Sequence, residues 1–284
     1  MTIHPPPARP DSLPRISIPG YRRGEPGFVR VSVALFAAGL AAFALLYAIQ
    51  ALLPELSSQF GVSPATSGLA LSLTTGVLAL VIIPVSSLSE RYGRTRVMTA
   101  SVVVAALLGL ALAVCTSFWL LLALRAAQGV ALAGLPATAM AYLAERIHPD
   151  SLGEAIGLYV AGNTVGGLTG RLLAGLVTDL AGWRVALVAV GGCAVTAVLV
   201  YRLALPGGGP SPRHTGDPPR HASDPSGGLR RHLADPTMRR LYLLSMLLSG
   251  QFVTVYNYLG YRLLAAPFSL PASVVGLVFV VYLA

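Results

Sequence analysis

The chain contains little charge and no lysine. Only 11% of its 284 residues are charged, whereas a typical soluble domain carries about 25%. Its 20 basic residues are all arginine, and 11 residues are acidic. Charge this sparse cannot give every helix the polar face that a soluble bundle needs. Together with a hydrophobic fraction of 55%, it excludes an ordinary soluble domain and indicates an integral membrane protein.

The sequence also lacks the patterns of several functional classes. It has no Walker P-loop, no HExxH or GxSxG pattern, and no pair of carboxylates inside an apolar run. Cys115 and Cys193 lie within apolar runs, where we expect packing and not a disulfide. We therefore predict no enzyme activity, no cofactor, no metal and no ATP. The net charge of +9 does not indicate nucleic acid as a partner, because the arginines are grouped in a few segments between apolar runs.

Long apolar runs make up most of the chain. A helix needs about 20 apolar residues to span hydrocarbon, and an open sheet would leave unpaired backbone groups in lipid. We predict an all-α integral membrane bundle with about seven complete transmembrane helices and a partial eighth that starts near residue 273. The first helix is expected to end at Pro54. The seven helices are predicted at residues 29–53, 67–88, 97–115, 119–144, 153–178, 184–205 and 240–264.

Polar segments divide the chain into four parts. Residues 1–28 are predicted to be a disordered tail, residues 29–205 a six-helix half, residues 206–239 a flexible linker, and residues 240–284 an incomplete second half. Only about 12 residues of the eighth helix precede Ala284, too few for a hydrocarbon core of about 30 Å. We expect a C-terminally truncated product.

The arginines predict the orientation of the helices. Most of those in polar segments lie on the side that carries the N-terminus, and only Arg184 and Arg262 lie in segments on the opposite side. Segments rich in arginine stay in the cytoplasm. We therefore predict a multi-pass protein with a cytoplasmic N-terminus.

The polar stretch between the second and third helices resembles a known family. Residues 86–95 read SSLSERYGRT, similar to the loop G-x-L-A-D-R-x-G-R-[RK] of the major facilitator superfamily, with Ser86 for the first glycine and Thr95 for the last basic residue. In that family the loop braces the cytoplasmic gate, and its acid faces a helix of the second half. An orientation signal alone would explain the arginines but not the acid or the glycine. The resemblance implies a gating loop formed by Glu90, Arg91, Gly93 and Arg94.

The fourth helix carries a second resemblance. Residues 121–129 read LLALRAAQG, similar to the superfamily pattern L-x-x-x-R-x-x-Q-G, which is associated with proton coupling in antiporters. An arginine inside a spanning helix needs a partner or a watery cavity, and Gln128 shares the helix face of Arg125. The resemblance implies that these two residues take part in proton coupling. The alternative is that Arg125 snorkels to the nearby membrane surface.

The fifth helix resembles the antiporter motif G-x8-G-x3-G-P-x2-G-G, with Arg171 in place of proline and Ala174 in place of one glycine. Small residues at this spacing let two helices approach closely. The stretch GNTVGGLTGRLLAGLVTD, and FVTVYNYLGYRLLAAPFSL in the seventh helix, are also similar to inner-membrane transporters of the YnfM type. The predicted helix-packing motif consists of Gly157, Gly166, Gly170, Arg171 and Gly175.

Polar and aromatic residues in three helices could line a cavity. Buried polar groups in a membrane need partners, and helices one and seven line the cavity in this superfamily; interhelical hydrogen bonds would explain the same residues equally well. No Asp or Glu falls in the middle of a predicted span. The candidate substrate-binding residues are Tyr47, Gln50, Asn163, Gln251, Tyr256 and Asn257.

These observations predict a secondary active transporter that works by alternating access. The resemblance to drug and sugar antiporters implies a proton-coupled exporter of small organic molecules in a bacterial-type inner membrane. Its expected partners are the lipid bilayer, a small-molecule substrate (drug, sugar or metabolite) and protons. The alternative is a truncated membrane protein that does not transport.

Overall fold

The computed structural model describes residues 20–206 and 234–278. These residues form eight α-helices and no β-strand, which confirms the predicted all-α bundle. Most of the predicted tail, most of the linker and the last residues of the predicted eighth helix lie outside the described residues. The helices are α1 (Pro26–Phe60), α2 (Pro64–Tyr92), α3 (Arg94–Ala111), α4 (Phe118–Arg146), α5 (Pro149–Ala181), α6 (Trp183–Ala204), α7 (Pro236–Leu264) and α8 (Ala272–Val278).

Five of the described helices are long and apolar enough to cross a membrane on their own: α1, α2, α3 with the 3₁₀ turn that follows it, α4 and α6. The 33 residues of α5 and the 29 of α7 are sufficient in length, but both helices are less apolar. Glycine and Arg171 lower the hydropathy of α5. This helix is nevertheless at the centre of the fold, since it packs along α1.

Helix α1 does not end at Pro54, as the sequence predicted. It continues to Phe60, and Gly61 ends it in the left-handed conformation (φ 63°), with its N–H directed at the carbonyls of Ser57 and Ser58. A proline removes only one hydrogen bond from a helix. Leu53 and Leu56 are fully buried on either side of it, and this packing stabilises the continuous helix.

The bundle has two ends, which we name by one residue each. The Glu90 end holds the turns between α2 and α3 and between α4 and α5. The Phe60 end holds the turns between α1 and α2 and between α5 and α6. Because consecutive helices run antiparallel, α7 begins at the Glu90 end and α8 begins at the Phe60 end.

Helices α7 and α8, the second set, are attached to helices α1 to α6, the first set, at the Phe60 end. The Tyr261 hydroxyl of α7 donates a hydrogen bond to the Leu53 carbonyl of α1 at 2.8 Å. The Asp179 carboxylate of α5 accepts hydrogen bonds from the backbone N–H groups of Ala272 (3.0 Å) and Ser273 (2.7 Å) at the start of α8. A carboxylate at a helix N-terminus satisfies amides that have no partner within the helix. The first turns of α7, in contrast, are exposed among the described residues.

Part of the predicted disordered tail is ordered. Residues 20–25 lie against the turn between α4 and α5, where the Tyr21 N–H donates to the Arg146 carbonyl (2.8 Å) and the His148 N–H donates to the Tyr21 carbonyl (3.0 Å). Arg23 forms a salt bridge with Glu154 at 3.3 Å. These backbone pairings are long-range contacts that local composition does not encode. The sequence therefore did not predict that residues 20–25 pack against the turn between α4 and α5.

Candidate functional site

Arg125 in α4 is fully buried, with 0% of its surface exposed. Its Nε donates to the Ala70 carbonyl of α2 at 2.8 Å. Its Nη1 donates to the Leu45 carbonyl at 3.1 Å and its Nη2 to the Leu46 carbonyl at 2.9 Å, both in α1. The guanidinium therefore points into the bundle, and the snorkelling alternative does not describe this structure.

Gln128 extends this network to a fourth helix. Its Oε1 accepts from Arg125 Nη1 at 2.6 Å, and its Nε2 donates to the Ala105 carbonyl of α3 at 3.0 Å. The Thr74 hydroxyl of α2 donates to the Arg125 carbonyl at 3.0 Å. None of the acceptors that Arg125 reaches in the described part of the chain is a carboxylate. The network holds an uncompensated buried cation at the junction of α1, α2, α3 and α4, an arrangement that is costly in a membrane.

Arg171 in α5 forms a second polar cluster with residues of α1 and α7. Its Nε donates to Gln50 Oε1 at 2.8 Å, and its Nη1 donates to the Gly167 carbonyl at 3.1 Å. The guanidinium carbon lies 4.3 Å from the centroid of the Tyr47 ring. Gln50 Nε2 donates to Asn257 Oδ1 of α7 at 2.6 Å. The sequence assigned Arg171 to helix packing, whereas the structure places it among the candidate substrate-binding residues.

A cavity of about 590 Å³ adjoins this cluster. It lies between the middle parts of α1, α5 and α7, and its volume is in the range of sites for small organic molecules. A second cavity of about 310 Å³ lies between α1, α2 and α7 and shares Val253 with the first. The lining residues of the larger cavity are Phe43, Tyr47, Gln50, Val160, Asn163, Thr164, Gly167, Arg171, Leu248, Ser249 and Val253.

The six candidate substrate-binding residues are not all brought together. Three of them line the larger cavity, and Asn257 lines the smaller one while contacting Gln50. Gln251 is exposed and Tyr256 is half-buried, and neither lines a described cavity. Each residue turns a helix by about 100°, so positions 251 and 256 point about 120° and 100° away from Asn257.

Three glycines bring α5 into backbone contact with α1. A Cβ added at Gly162, Gly166 or Gly170 would lie 2.3–2.4 Å from a carbonyl oxygen of α1. The facing carbonyls belong to Phe36, Leu40 and Ala44, which are also four residues apart. The three glycines and this stretch of α1 form the glycine seam. The sequence motif omitted Gly162, although its four-residue spacing from Gly166 was visible in the sequence.

Two other glycines of the predicted packing motif do not belong to the glycine seam. Gly157 is exposed, and a Cβ added there would meet no atom within 4 Å. It lies nine residues from Gly166, which places it on the opposite face of the helix. Gly175 faces α8 instead, where an added Cβ would lie 2.8 Å from the Ala272 carbonyl oxygen. Among the described residues no atom packs against Gly157, and its packing role stays a prediction.

The predicted gating loop lies at the Glu90 end. Arg94 forms a salt bridge with Glu145 at the end of α4, with Nε and Oε1 2.8 Å apart, and the Arg91 guanidinium lies 5.9 Å from the Tyr92 ring centroid. Glu90 is exposed and makes no hydrogen bond or salt bridge within residues 20–206 and 234–278. The Arg94 salt bridge thus holds the loop against α4, and the Glu90 carboxylate stays accessible.

Gly93 has a backbone conformation that other residues rarely adopt, with φ 93° and ψ 129° at the junction of α2 and α3. We expect Gly93→Ala to lower the free energy of unfolding by about 1–2 kcal/mol, because alanine is strained at this φ. Gly76→Ala in α2 is the matched control, since a Cβ there also meets open space but in ordinary helical geometry. Thermal unfolding in detergent should show a loss of stability for Gly93→Ala and none for Gly76→Ala. Equal stability of the two variants would contradict the proposed strain at Gly93.

Comparison with known proteins identifies the family. The sequence profile described as the Major Facilitator Superfamily matches residues 34–284. The chain belongs to this superfamily. It is 40% identical to the inner membrane transport protein YnfM of Escherichia coli (strain K12) and 41% identical to the uncharacterized MFS-type transporter YybF of Bacillus subtilis (strain 168), in each case over 262 residues and 92% of this chain.

Solved structures give the same fold. The crystal structure of a bacterial homolog of the human lysosomal transporter Spinster, in an inward-facing and unoccupied conformation, matches 89% of this chain with a TM-score of 0.72 at 22% identity. The chain covers 58% of that protein, 62% of YnfM and 63% of YybF. It therefore spans less than two thirds of the length of the proteins it matches.

Proposed function

We propose that this major facilitator chain takes part in proton-coupled export of small organic molecules by alternating access. The larger cavity carries this proposal, because it is formed jointly by two helices of the first set and the first helix of the second set. Sites between structural repeats near the middle of the membrane are the usual binding sites of such transporters. The organisation that we propose is a six-helix half at 29–205, a linker at 206–239 and the beginning of a second half.

The contacts between the two sets of helices support one state of the alternating-access cycle. Leu53, Asp179 and Ala272 join the sets at the Phe60 end, whereas the first turns of α7 at the Glu90 end are exposed among the described residues. A closed Phe60 end with a separable Glu90 end fits rigid-body rocking about a central cavity. In the orientation proposed from the arginines, the Glu90 end is cytoplasmic.

Arg125 and Gln128 are the proposed coupling residues. A fixed buried cation in a medium of low dielectric constant raises the electrostatic free energy that is needed to bring a proton nearby. Movement of the helices relative to this charge changes that free energy, so conformation and protonation become linked. Because the four helices meet at Arg125, a rearrangement of any one of them changes its hydrogen bonds.

The loop between α2 and α3 is the proposed gate at the Glu90 end. Its salt bridge to Glu145 fixes the loop against α4, and the exposed Glu90 carboxylate can accept hydrogen bonds from the N-terminus of a helix in the second half. Breaking that contact would accompany opening of the cytoplasmic side.

Proteoliposomes with an internal pH indicator test the proposed function. The protein is reconstituted, drugs, sugars and organic acids are added in turn, and the internal pH is followed. At least one compound should cause a proton movement that is absent from protein-free liposomes and that a protonophore abolishes. Uptake of labelled compound without any proton movement would contradict coupling. The absence of both uptake and proton movement would favour the non-transporting alternative.

A further inference from the structure

We propose that His148 is a proton-binding site that controls the docking of residues 20–25, which we call the N-terminal strap. The neutral ring holds the strap against the turn between α4 and α5, and protonation of the ring releases it. In the orientation proposed from the arginines this turn is cytoplasmic, so the strap responds to acidification of the cytoplasm. The inference does not rest on the proposed transport function, because docking is a property of the folded chain.

The backbone of the N-terminal strap is in close contact with the turn. Tyr21 pairs with Ile147 in a parallel bridge. Gly20 lies directly against the next residue of the turn, since a Cβ added there would be 2.6 Å from the His148 backbone nitrogen. The Tyr21 ring covers Gly27 in the first turn of α1, where an added Cβ would lie 2.3 Å from the ring. The strap therefore fixes the start of α1 to the turn between α4 and α5.

His148 is a buried polar residue at this contact, with 5% of its surface exposed. The Arg22 Nη2 atom of the strap lies 2.8 Å from its Nε2. A guanidinium has donors and no acceptor, so Nε2 must accept this hydrogen bond and carries no proton. The contact between the strap and the imidazole therefore requires the neutral ring.

The surroundings of the other ring nitrogen agree with this tautomer. The proton of the neutral ring is on Nδ1, which lies 3.3 Å from the Asp150 carboxylate. The Asp150 backbone nitrogen is also 3.3 Å from Nδ1. The opposite tautomer, which would let Nδ1 accept from this N–H, leaves the shorter Arg22 contact without an acceptor.

Protonation of the ring places a second donor where Arg22 needs an acceptor. The new N–H at Nε2 would face the guanidinium across 2.8 Å, and two cations would meet where little water screens them. Asp150 does not cancel this change, because its carboxylate already lies 3.3 Å from the ring and 3.5 Å from Arg22 Nη1 in the neutral state. Undocking of the strap relieves the repulsion by moving Arg22 into water.

Other charged groups surround the turn and form contacts of their own. Arg23 of the strap pairs with Glu154 of α5, and Arg94 of α3 pairs with Glu145 of α4. Arg146, the last residue of α4, lies over an aromatic ring of its own helix. Protonation of Glu154 would weaken its salt bridge in acid as well, so the experiment has to separate this carboxylate from the imidazole.

Hydrogen–deuterium exchange of the complete chain in detergent tests the inference. An imidazole in water is half protonated near pH 6.5. When only the undocked state binds this proton, the docking equilibrium falls about ten-fold by about pH 5.5. We expect the exchange protection of peptides containing Tyr21 to fall by this factor from about pH 8 to about pH 5.5, after correction for the intrinsic pH dependence of exchange. Unchanged protection at Tyr21, or an equal loss in peptides of the glycine seam, would overturn the proposal.

Two substitutions identify the groups responsible. In His148→Gln the side-chain oxygen can accept from Arg22 at every pH, so the strap should stay docked and the pH dependence should disappear. In Arg22→Gln, at an exposed position, a neutral amide can donate to the neutral ring and accept from the protonated ring, so the pH dependence should disappear there too. A fall of about ten-fold that survives either substitution would overturn the assignment, and Arg22→Gln decides alone if His148→Gln does not fold.

Glu154→Gln is the matched control on the same docking surface. It removes the charged partner of Arg23 and leaves His148 and its contacts in place. Protection at Tyr21 should therefore fall by a similar factor at both pH values, and the difference between them should remain. Loss of that difference in Glu154→Gln would assign the pH response to this carboxylate and overturn the role of His148.

Discussion

Arg125→Ala is expected to lower the rate of proton-driven transport at least about ten-fold. The substitution removes the donor that joins the Ala70, Leu45 and Leu46 carbonyls to Gln128. Each hydrogen bond to a charged group contributes about 1.5–3 kcal/mol, and about 1.4 kcal/mol corresponds to a factor of ten in rate. Loss of the buried cation also removes the charge to which protonation is proposed to respond.

Two companion variants make this expectation specific. Arg125→Lys keeps the charge but cannot reproduce the fork of N–H donors, so we expect an intermediate rate. Arg184→Ala is the control, since Arg184 is exposed and, within the described residues, its side chain contacts only the Cys115 carbonyl (3.2 Å) and the neighbouring Trp183 ring; the rate of this variant should stay within about two-fold of the wild type.

Proton-driven uptake and counterflow without a gradient should be measured together for these variants. If Arg125 acts in coupling, Arg125→Lys should lose proton-driven uptake more than counterflow. Equal loss in both assays would indicate that the residue only holds the helices together. Wild-type uptake by Arg125→Ala would contradict both roles.

Gly166→Ala is expected to destabilise the bundle, although alanine normally favours a helix by about 1 kcal/mol over glycine. The added Cβ would lie 2.3 Å from the Leu40 carbonyl oxygen of α1, so the two backbones would have to separate. Overpacking of this kind costs about 1–3 kcal/mol. It would also widen the glycine seam along its length and move α5, which carries Arg171, away from Gln50.

Gly157→Ala on the same helix is the matched control. The substitution is identical, but a Cβ at Gly157 meets no atom within 4 Å. Thermal unfolding of the two variants in detergent should therefore give changes of opposite sign, a loss of stability for Gly166→Ala and a gain for Gly157→Ala. A similar shift in both variants would show that intrinsic helix propensity, and not contact with α1, governs this face.

Hydropathy was sufficient to predict the number and order of the described helices, because the requirement to satisfy backbone groups in lipid acts locally along the chain. The burial of Arg125 was also predictable, since a charge inside a span must find a partner. The identity of those partners was not, because three of them are backbone carbonyls, which carry no sequence signal. The continuation of α1 past Pro54 depends on neighbouring helices and was missed for the same reason.

The rotational position of each helix was the hardest feature of the site to predict. Gly157 was included in the packing motif because its spacing matches the family pattern, yet nine residues place it opposite Gly166. Arg171 follows Gly170 by one residue, which turns it by about 100° from the glycine seam toward the cavity. Asp179 was assigned no role, because the start of α8 that it caps is distant in sequence.

The larger cavity should be a water-accessible binding site between the two sets of helices. Cysteine labelling tests it most directly. With Cys115 and Cys193 replaced by alanine, Thr164→Cys places a thiol at the cavity wall, and Val165→Cys places one on the neighbouring outer face, where Val165 is exposed in the bundle. Reaction with a membrane-impermeant maleimide is measured in sealed vesicles. Thr164→Cys should be labelled from one side and protected by a bound substrate, while Val165→Cys, which does not line the cavity, should stay unlabelled; equal reactivity of the two positions would contradict the proposed site.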